Sequence, residues 1–404
     1  MQPTRSVYFK LQTSISPQEE RLAVGRKPHK LIIGLPKEQD PNENRIALTP
    51  LAVDTLVAMG HEVRIESGAG IHANFTDTDF SEMGAFICET REEIFQSDIV
   101  LKVSPCSPEE VQLLRGNQLL ISALNIGILS KSYLLTLMKK KVTAIAFELI
   151  RDEEGHYPVV SSMSEIIGST AILKAAEYLS NANTGKGKIV GGISGVNPSE
   201  VVILGAGTTA EFAARIALGL GAVVKIFDHS VAKLNQLQRN INQRVFTSII
   251  QPQILRNALA TADIFIGAID AMGENSRFYI TEDMVKLMKK GSVIIDTSID
   301  QGGCVETSEL TSHEHPIFIK HGIVHYCVPN IPSTVARTAS YALSNIFAPL
   351  LIRLGDASSM SNLIQHDFEI RHGIYVYKGM LTNYQIGKYF DLPVKDIDIL
   401  SALL

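Results

Sequence analysis

The chain has 404 residues, 45% of them hydrophobic and 20% charged, with a formal charge of -5, the balance of an ordinary globular protein of two or three domains. A mildly acidic chain has no broad positive field with which to hold a phosphate backbone, so nucleic-acid binding is excluded. The basic run Lys139 to Lys141 closes a helical pattern, where cations suit the helix dipole. Four cysteines, at 88, 106, 304 and 327, lack zinc or disulfide spacing and fit a reducing compartment. No apolar run approaches the roughly 18 residues of a membrane span, and no apolar signal core follows the N-terminal charges. The expected location is cytoplasmic, with no membrane partner.

Residues 1–29 are polar and read as an extension. From Leu31 strand-like and helical stretches alternate. "LIIGLPK", "HEVRIES", "AFICE", "DIVLKVS", "NQLLISAL" and "TAIAFELI" have strand character, and "PLAVDTLVAMG", "REEIFQS" and "PEEVQLLR" helical character. A long helical pattern around "SEIIGSTAILKAAEYLS" leads through a glycine-rich connection into a second series: "VVILGAG", "VVKIFD", "IFIGAI", "SVIIDTSI" and "IVHYCV". This alternation predicts an α/β protein with two doubly wound parallel, Rossmann-like sheets and a cleft between two domains. The final helical stretch, "VARTASYALSNIFAPLLIRL", is long enough to cross from one domain to the other.

The strongest motif is "VVILGAGTTAEFAARIA". A β-branched strand runs into Gly205-Ala206-Gly207-Thr208-Thr209-Ala210, the G-x-G-x-x-A form that lets backbone approach a pyrophosphate and aims a helix N-terminus at it. Asp228 closes the next strand, where a carboxylate accepts from the adenosine ribose hydroxyls and repels the extra phosphate of NADP. The predicted cofactor is therefore NAD. In "SVIIDTSIDQGGCVE" a second buried strand carries Asp296 and Asp300 towards the cleft, and Gly302-Gly303 permits a sharp turn. Asp300 in a plain turn-capping role is the bland alternative. In "DIVLKVSPC", Lys102 and Ser104 fall on one strand face by alternation, which makes Lys102 either a working amine or an ion-pair partner.

The runs "GLPKEQDPNENRIALTP", "ESGAGIHANFTDTDF", "SSMSEIIGSTA", "GGISGVNPSEVVILGAGT", "IDQGGCVE" and "HYCVPNIPSTVARTASYALSN" resemble the alanine dehydrogenase branch of the family that also contains the first domain of proton-translocating transhydrogenase. The resemblance covers about residues 30 to 395. It implies a substrate domain from residues 30–160 and 332–404, an NAD domain inserted at 161–331, and a homo-oligomer, since the family forms hexamers. It also implies a reversible, NAD-dependent oxidative deamination of L-alanine or another small L-amino acid to its 2-oxo acid and ammonium. Arg45 matches the arginine that holds the substrate carboxylate, a task suited to a forked guanidinium. Asp300 matches the aspartate at the nicotinamide ribose and the reacting carbon, and Ser164, Lys233, Asn330 and Ile331 fall on NAD-contacting positions.

Two departures stand out. The family's K-V-K pattern reads Lys102-Val103-Ser104 here, so the lysine that polarises the substrate carbonyl aligns with Ser104. The family's acid/base histidine aligns with Asn125, which cannot titrate near neutral pH. Lys102 reaching across to restore the charge, or His72 supplying a proton carrier, are two remedies. A transhydrogenase-like hydride-transfer subunit, or a non-catalytic NAD-binding sensor, would tolerate both departures. The Arg-Gln-Asp loop of the transhydrogenase branch is not evident in "RDEEGHYPVVSSMSE".

Overall fold

The computed structural model describes residues 30–125, 129–269, 279–357, 362, 365 and 367–402; the polar extension before Lys30 lies outside them. Six strands open the chain: β1 (Ile32–Leu35), β2 (Glu62–Glu66), β3 (Phe86–Cys88), β4 (Ile99–Leu101), β5 (Leu119–Ser122) and β6 (Thr143–Ala146). The second series is β7 (Glu200–Leu204), β8 (Val223–Asp228), β9 (Phe246–Ile249), β10 (Ile264–Gly267), β11 (Val293–Asp296), β12 (Ile317–Lys320) and β13 (Ile323–Tyr326), and the tail adds β14 (Ile374–Tyr377) and β15 (Met380–Leu381).

Two sheets result, one in the order β15-β14-β6-β5-β4-β1-β2-β3 and one in the order β12-β13-β11-β10-β7-β8-β9. Each is parallel except at one edge, where β14 and β15, or β12, run antiparallel. Strand direction out of the sheet alternates, so Ile33, Leu35, Ile99 and Leu101 join one core while Val100, Leu120 and Ala144 join another on the opposite face. The second sheet is likewise covered on both faces. Burial on two sides explains why these strands read as unbroken apolar runs. β9, β12 and β15 are edge strands without that run, and β14 lies beyond the regular strand–helix alternation, so the sequence pattern does not reveal them.

Two long helices link the sheets. Pro158–Leu179 starts with proline at its first turn, where a missing N–H costs nothing, and Ala336–Asp356 returns the chain to the first sheet. Gly168 of the first helix allows close packing on the helix Thr208–Gly219, because a Cβ there would strike the Thr209 carbonyl. In each sheet strand order reverses once, between β4 and β1 and between β10 and β7. The crevices outside those carboxyl ends are where open α/β sheets bind ligands.

Candidate active site

At the second reversal, β7 turns into the helix Thr208–Gly219 through Gly205, whose φ of 114° and contact with the Ala268 carbonyl both exclude a side chain. Gly207 is the helix N-cap and provides no side-chain cap, so the first N–H groups remain available to an anion. A Cβ on Gly207 would meet open space, which leaves the backbone accessible from the crevice. Asp228 is buried; its Oδ2 accepts from Ala206 N at 2.8 Å and its Oδ1 from Ser230 N at 2.7 Å. A carboxylate has about four acceptor positions, so each oxygen keeps one for a ribose hydroxyl. A cavity of about 300 Å³ is lined by Ser164, Gly207, Thr208, Asp228, Lys233 and Ile269. These residues suit a dinucleotide: open backbone N–H groups for its phosphates and a carboxylate for its ribose.

Asp300 lies exposed in the 3-10 turn Ile299–Gln301, where partial burial raises its carboxyl above the ordinary value and Asp296 adds repulsion. It lies within that turn and does not cap a helix. Asp296 corrects the sequence expectation. It does not face the cleft: fully buried, it accepts from Ser298 N, Cys304 N and Ser308 Oγ at 3.2, 3.0 and 2.8 Å and so holds the Asp300 loop closed on itself. An aspartate after a strand suits either role, and only tertiary contacts separate them.

At the first reversal, Arg45 is held by Glu43, with Nε to Oε1 at 2.7 Å and Nη2 to Oε2 at 2.5 Å, and its Nη1 points to Met163 Sδ at 3.3 Å. Its loop is pinned by hydroxyls: Asn44 N donates to Ser333, Ile46 N to Ser340 and Thr49 N to Ser344. Asn330 donates to Glu43 Oε2 and to the Asn42 carbonyl, both at 3.0 Å, and Ile331 beside it is buried. Asn330 thus joins the segment after β13 to the Arg45 loop.

β4 ends at Leu101, so Lys102 and Ser104 follow the strand and alternation does not set their directions. Lys102 is buried, with its ammonium 2.6 Å from Glu110 and 3.6 Å from Glu38. Burial opposes its charge, but Glu38 and Glu110 outweigh that and raise its pKa. Glu38 accepts from Val103 N at 2.7 Å, and burial pushes its carboxyl up to about 7 against the pull of Lys102. Ser104 lines a cavity of about 310 Å³ together with Asp40, Lys102, Cys106, Glu110 and Tyr133. Asn125 is exposed after β5, with a left-handed φ of 31°. Below it, Glu148 accepts from Leu124 N at 2.7 Å. His72 sits exposed on the 3-10 turn Ile71–Ala73. Glu38, Glu148, Met163 and the three serines escape sequence reasoning. Of these, only Ser340 and Ser344 leave a faint trace, at four-residue spacing in "TASYALSN".

Two doubly wound sheets whose reversal crevices share a linking helix, one crevice carrying an open glycine turn, define a two-domain protein of the dinucleotide-binding architecture. The chain belongs to the alanine dehydrogenase/PNT family, whose N-terminal domain matches residues 34–167 and whose C-terminal domain matches 171–384. It is 36% identical over 368 residues to an alanine dehydrogenase of Methanococcus maripaludis, covering 90% of this chain and 97% of that one. An alanine dehydrogenase of Staphylococcus saprophyticus is also 36% identical, over 374 residues, with 92% and 100% covered. A solved L-alanine dehydrogenase superposes with a TM-score of 0.84 at 35% identity, covering 89% of this chain and 99% of that one. A transhydrogenase from Sinorhizobium meliloti gives 0.73 at 22% identity, covering 88% and 99%, which is a likeness of fold. No described helix is long and apolar enough to cross a membrane, and the four cysteines are free and buried.

Proposed function

We propose that the protein is an NAD-dependent alanine dehydrogenase that interconverts L-alanine with pyruvate and ammonium, as a cytoplasmic homo-oligomer. The observation that carries this reading is the pairing of two crevices on one helix: Met163 contacts Arg45 and Ser164 lines the glycine-turn cavity. In this reading the guanidinium that would bind a carboxylate touches the helix one residue before the one that lines the cavity for the dinucleotide. Gly205, Ala206, Gly207, Thr208, Asp228, Lys233, Ser164, Asn330 and Ile331 would hold the dinucleotide, which supplies the hydride acceptor when bound. Arg45, oriented by Glu43, would fork onto the substrate carboxylate. Asp300, with its raised pKa, would share in proton exchange at the reacting carbon. Lys102 would act through Glu110 and Glu38, setting the charge beneath Ser104.

The test is NADH oxidation with pyruvate and ammonium. Turnover that requires both supports the reading, and its absence at saturating concentrations overturns it. Ser104 and Asn125 favour one second reading, a hydride-transfer protein without amine chemistry. Hydride exchange from NADH to a thio-nicotinamide analogue, with no response to pyruvate, would select it.

A further inference from the structure

We propose that Glu148, acting through one water beside Asn125, carries the substrate-oxygen proton that the family's histidine handles elsewhere; this rests on the alanine dehydrogenase reading. The topology brings the parts together. β4, β5 and β6 are successive neighbours, with Leu101 opposite Ile121 and Ser122 opposite Ala146. Ser104, Asn125 and Glu148 therefore leave three adjacent carboxyl ends beside the crevice. Glu148 Oε1 is occupied by Leu124 N, but its Oε2 is shut off from bulk solvent and has no partner among the described residues. A buried carboxylate oxygen left unpaired is costly, and a fold retains one where a ligand or water completes it. A carboxamide is shorter than an imidazole, so Asn125 occupies less space than the family's histidine would.

Burial raises the Glu148 pKa, while N–H groups at its own position, Leu124 and Asn125 pull it back. The titratable neighbour is Tyr375 on β14, whose hydroxyl lies 3.4 Å from that of Tyr133. Charged groups on the helix Phe368–Gly373, packed against the Phe147–Leu149 turn, are engaged elsewhere: Glu369 with Arg353, Arg371 with Asp398, and His372 with the Phe368 carbonyl. On the linking helix, Glu165 is exposed.

In deamination, water adds to the iminium carbon. Its C–O bond forms as one O–H proton passes through the bridging water to the Glu148 carboxylate, leaving a neutral carbinolamine. The same proton returns to the amine nitrogen. The C–N bond then breaks, and ammonia departs with the hydroxyl proton as ammonium while the carbonyl closes. A bound nicotinamide dinucleotide would supply the hydride acceptor for the preceding oxidation.

The experiment compares wild type, Glu148→Gln, Asn125→His and the double variant across pH, with NADH fluorescence titration as the check on folding and cofactor binding. Glutamine still accepts the Leu124 N–H. Glu148→Gln is expected to bind NADH normally, to lose about 10²- to 10⁴-fold in kcat/KM for alanine, and to lose the limb on which that rate rises with pH as a carboxyl ionises. Asn125→His in the Glu148→Gln background should restore turnover with a histidine-like limb. A Glu148→Gln rate within threefold of wild type with the same limb overturns the inference and leaves the dehydrogenase reading standing. Loss without rescue by the histidine overturns it in favour of a purely structural carboxylate. If wild type binds NADH but turns over no small amino acid, both this inference and the dehydrogenase reading fall.

Discussion

At the scale of single residues, the buried cluster below Ser104 controls how the site responds to pH. Lys102 serves two carboxylates, with Glu110 the closer, and Glu38 is the member that burial pushes up to about 7 from an ordinary 4.5. A folded pKa raised above the unfolded one gives stability that is present below the unfolded value and lost as pH climbs through the folded value. The contribution of Glu38 therefore falls away between about pH 4.5 and 7. Glu38→Gln should remove that fall, so urea midpoints of variant and wild type should diverge in the variant's favour across this window, by about 1–3 kcal/mol. Parallel midpoints would contradict it. Lys102→Met leaves Glu38 without its cation and Glu110 with Arg91 alone, and should cost about 3–5 kcal/mol, read in the same titrations. Restoring the family pair with Ser104→Lys and Asn125→His should raise pyruvate-dependent NADH oxidation. A restored acid/base group is worth about 10²- to 10⁴-fold, and the two changes should exceed the product of the singles because both act on one reacting centre.

At the scale of elements, the Arg45 loop is held by the start and first turns of another element far along the chain. Ser340 and Ser344 are buried in the helix Ala336–Asp356 and accept the N–H groups of Ile46 and Thr49. Ser340→Ala would strand a buried N–H at about 1–3 kcal/mol and loosen the guanidinium, so KM for alanine should rise while the NADH dissociation constant holds. An unchanged KM would mean that the loop keeps its shape unaided. These contacts also mark the limit of sequence reading. Two doubly wound sheets are legible because strands buried on both faces must be apolar throughout, and the glycine turn because its conformation admits little else. A serine within a helix is locally neutral, and its purpose comes from a partner 294 residues away. Asp296 differs from expectation, and Lys102 takes the ion-pair alternative, for the same reason: local pattern gives the end of a strand, while the network around it decides which partners a charge meets.

At the scale of the molecule, two crevices on separate sheets meet across two linking helices, a construction that suits closure about a hinge. Small-angle scattering should report a smaller radius of gyration on saturation with NADH, further reduced with pyruvate, and unchanged profiles would argue for a rigid body. The dinucleotide half predicts its own preference: Asp228 beside the ribose should make NADPH bind much more weakly than NADH in calorimetric titration. The linking helix carries a thermodynamic consequence of its own. Met163 touches the Arg45 guanidinium and Ser164 lines the glycine-turn cavity, on successive positions of one helix. A rod cannot shift for one ligand and stay for the other, so whatever factor cofactor lends to substrate affinity, substrate must lend back to cofactor. The coupling between the two affinities is a single quantity, and a substitution that changes it is read equally from either ligand.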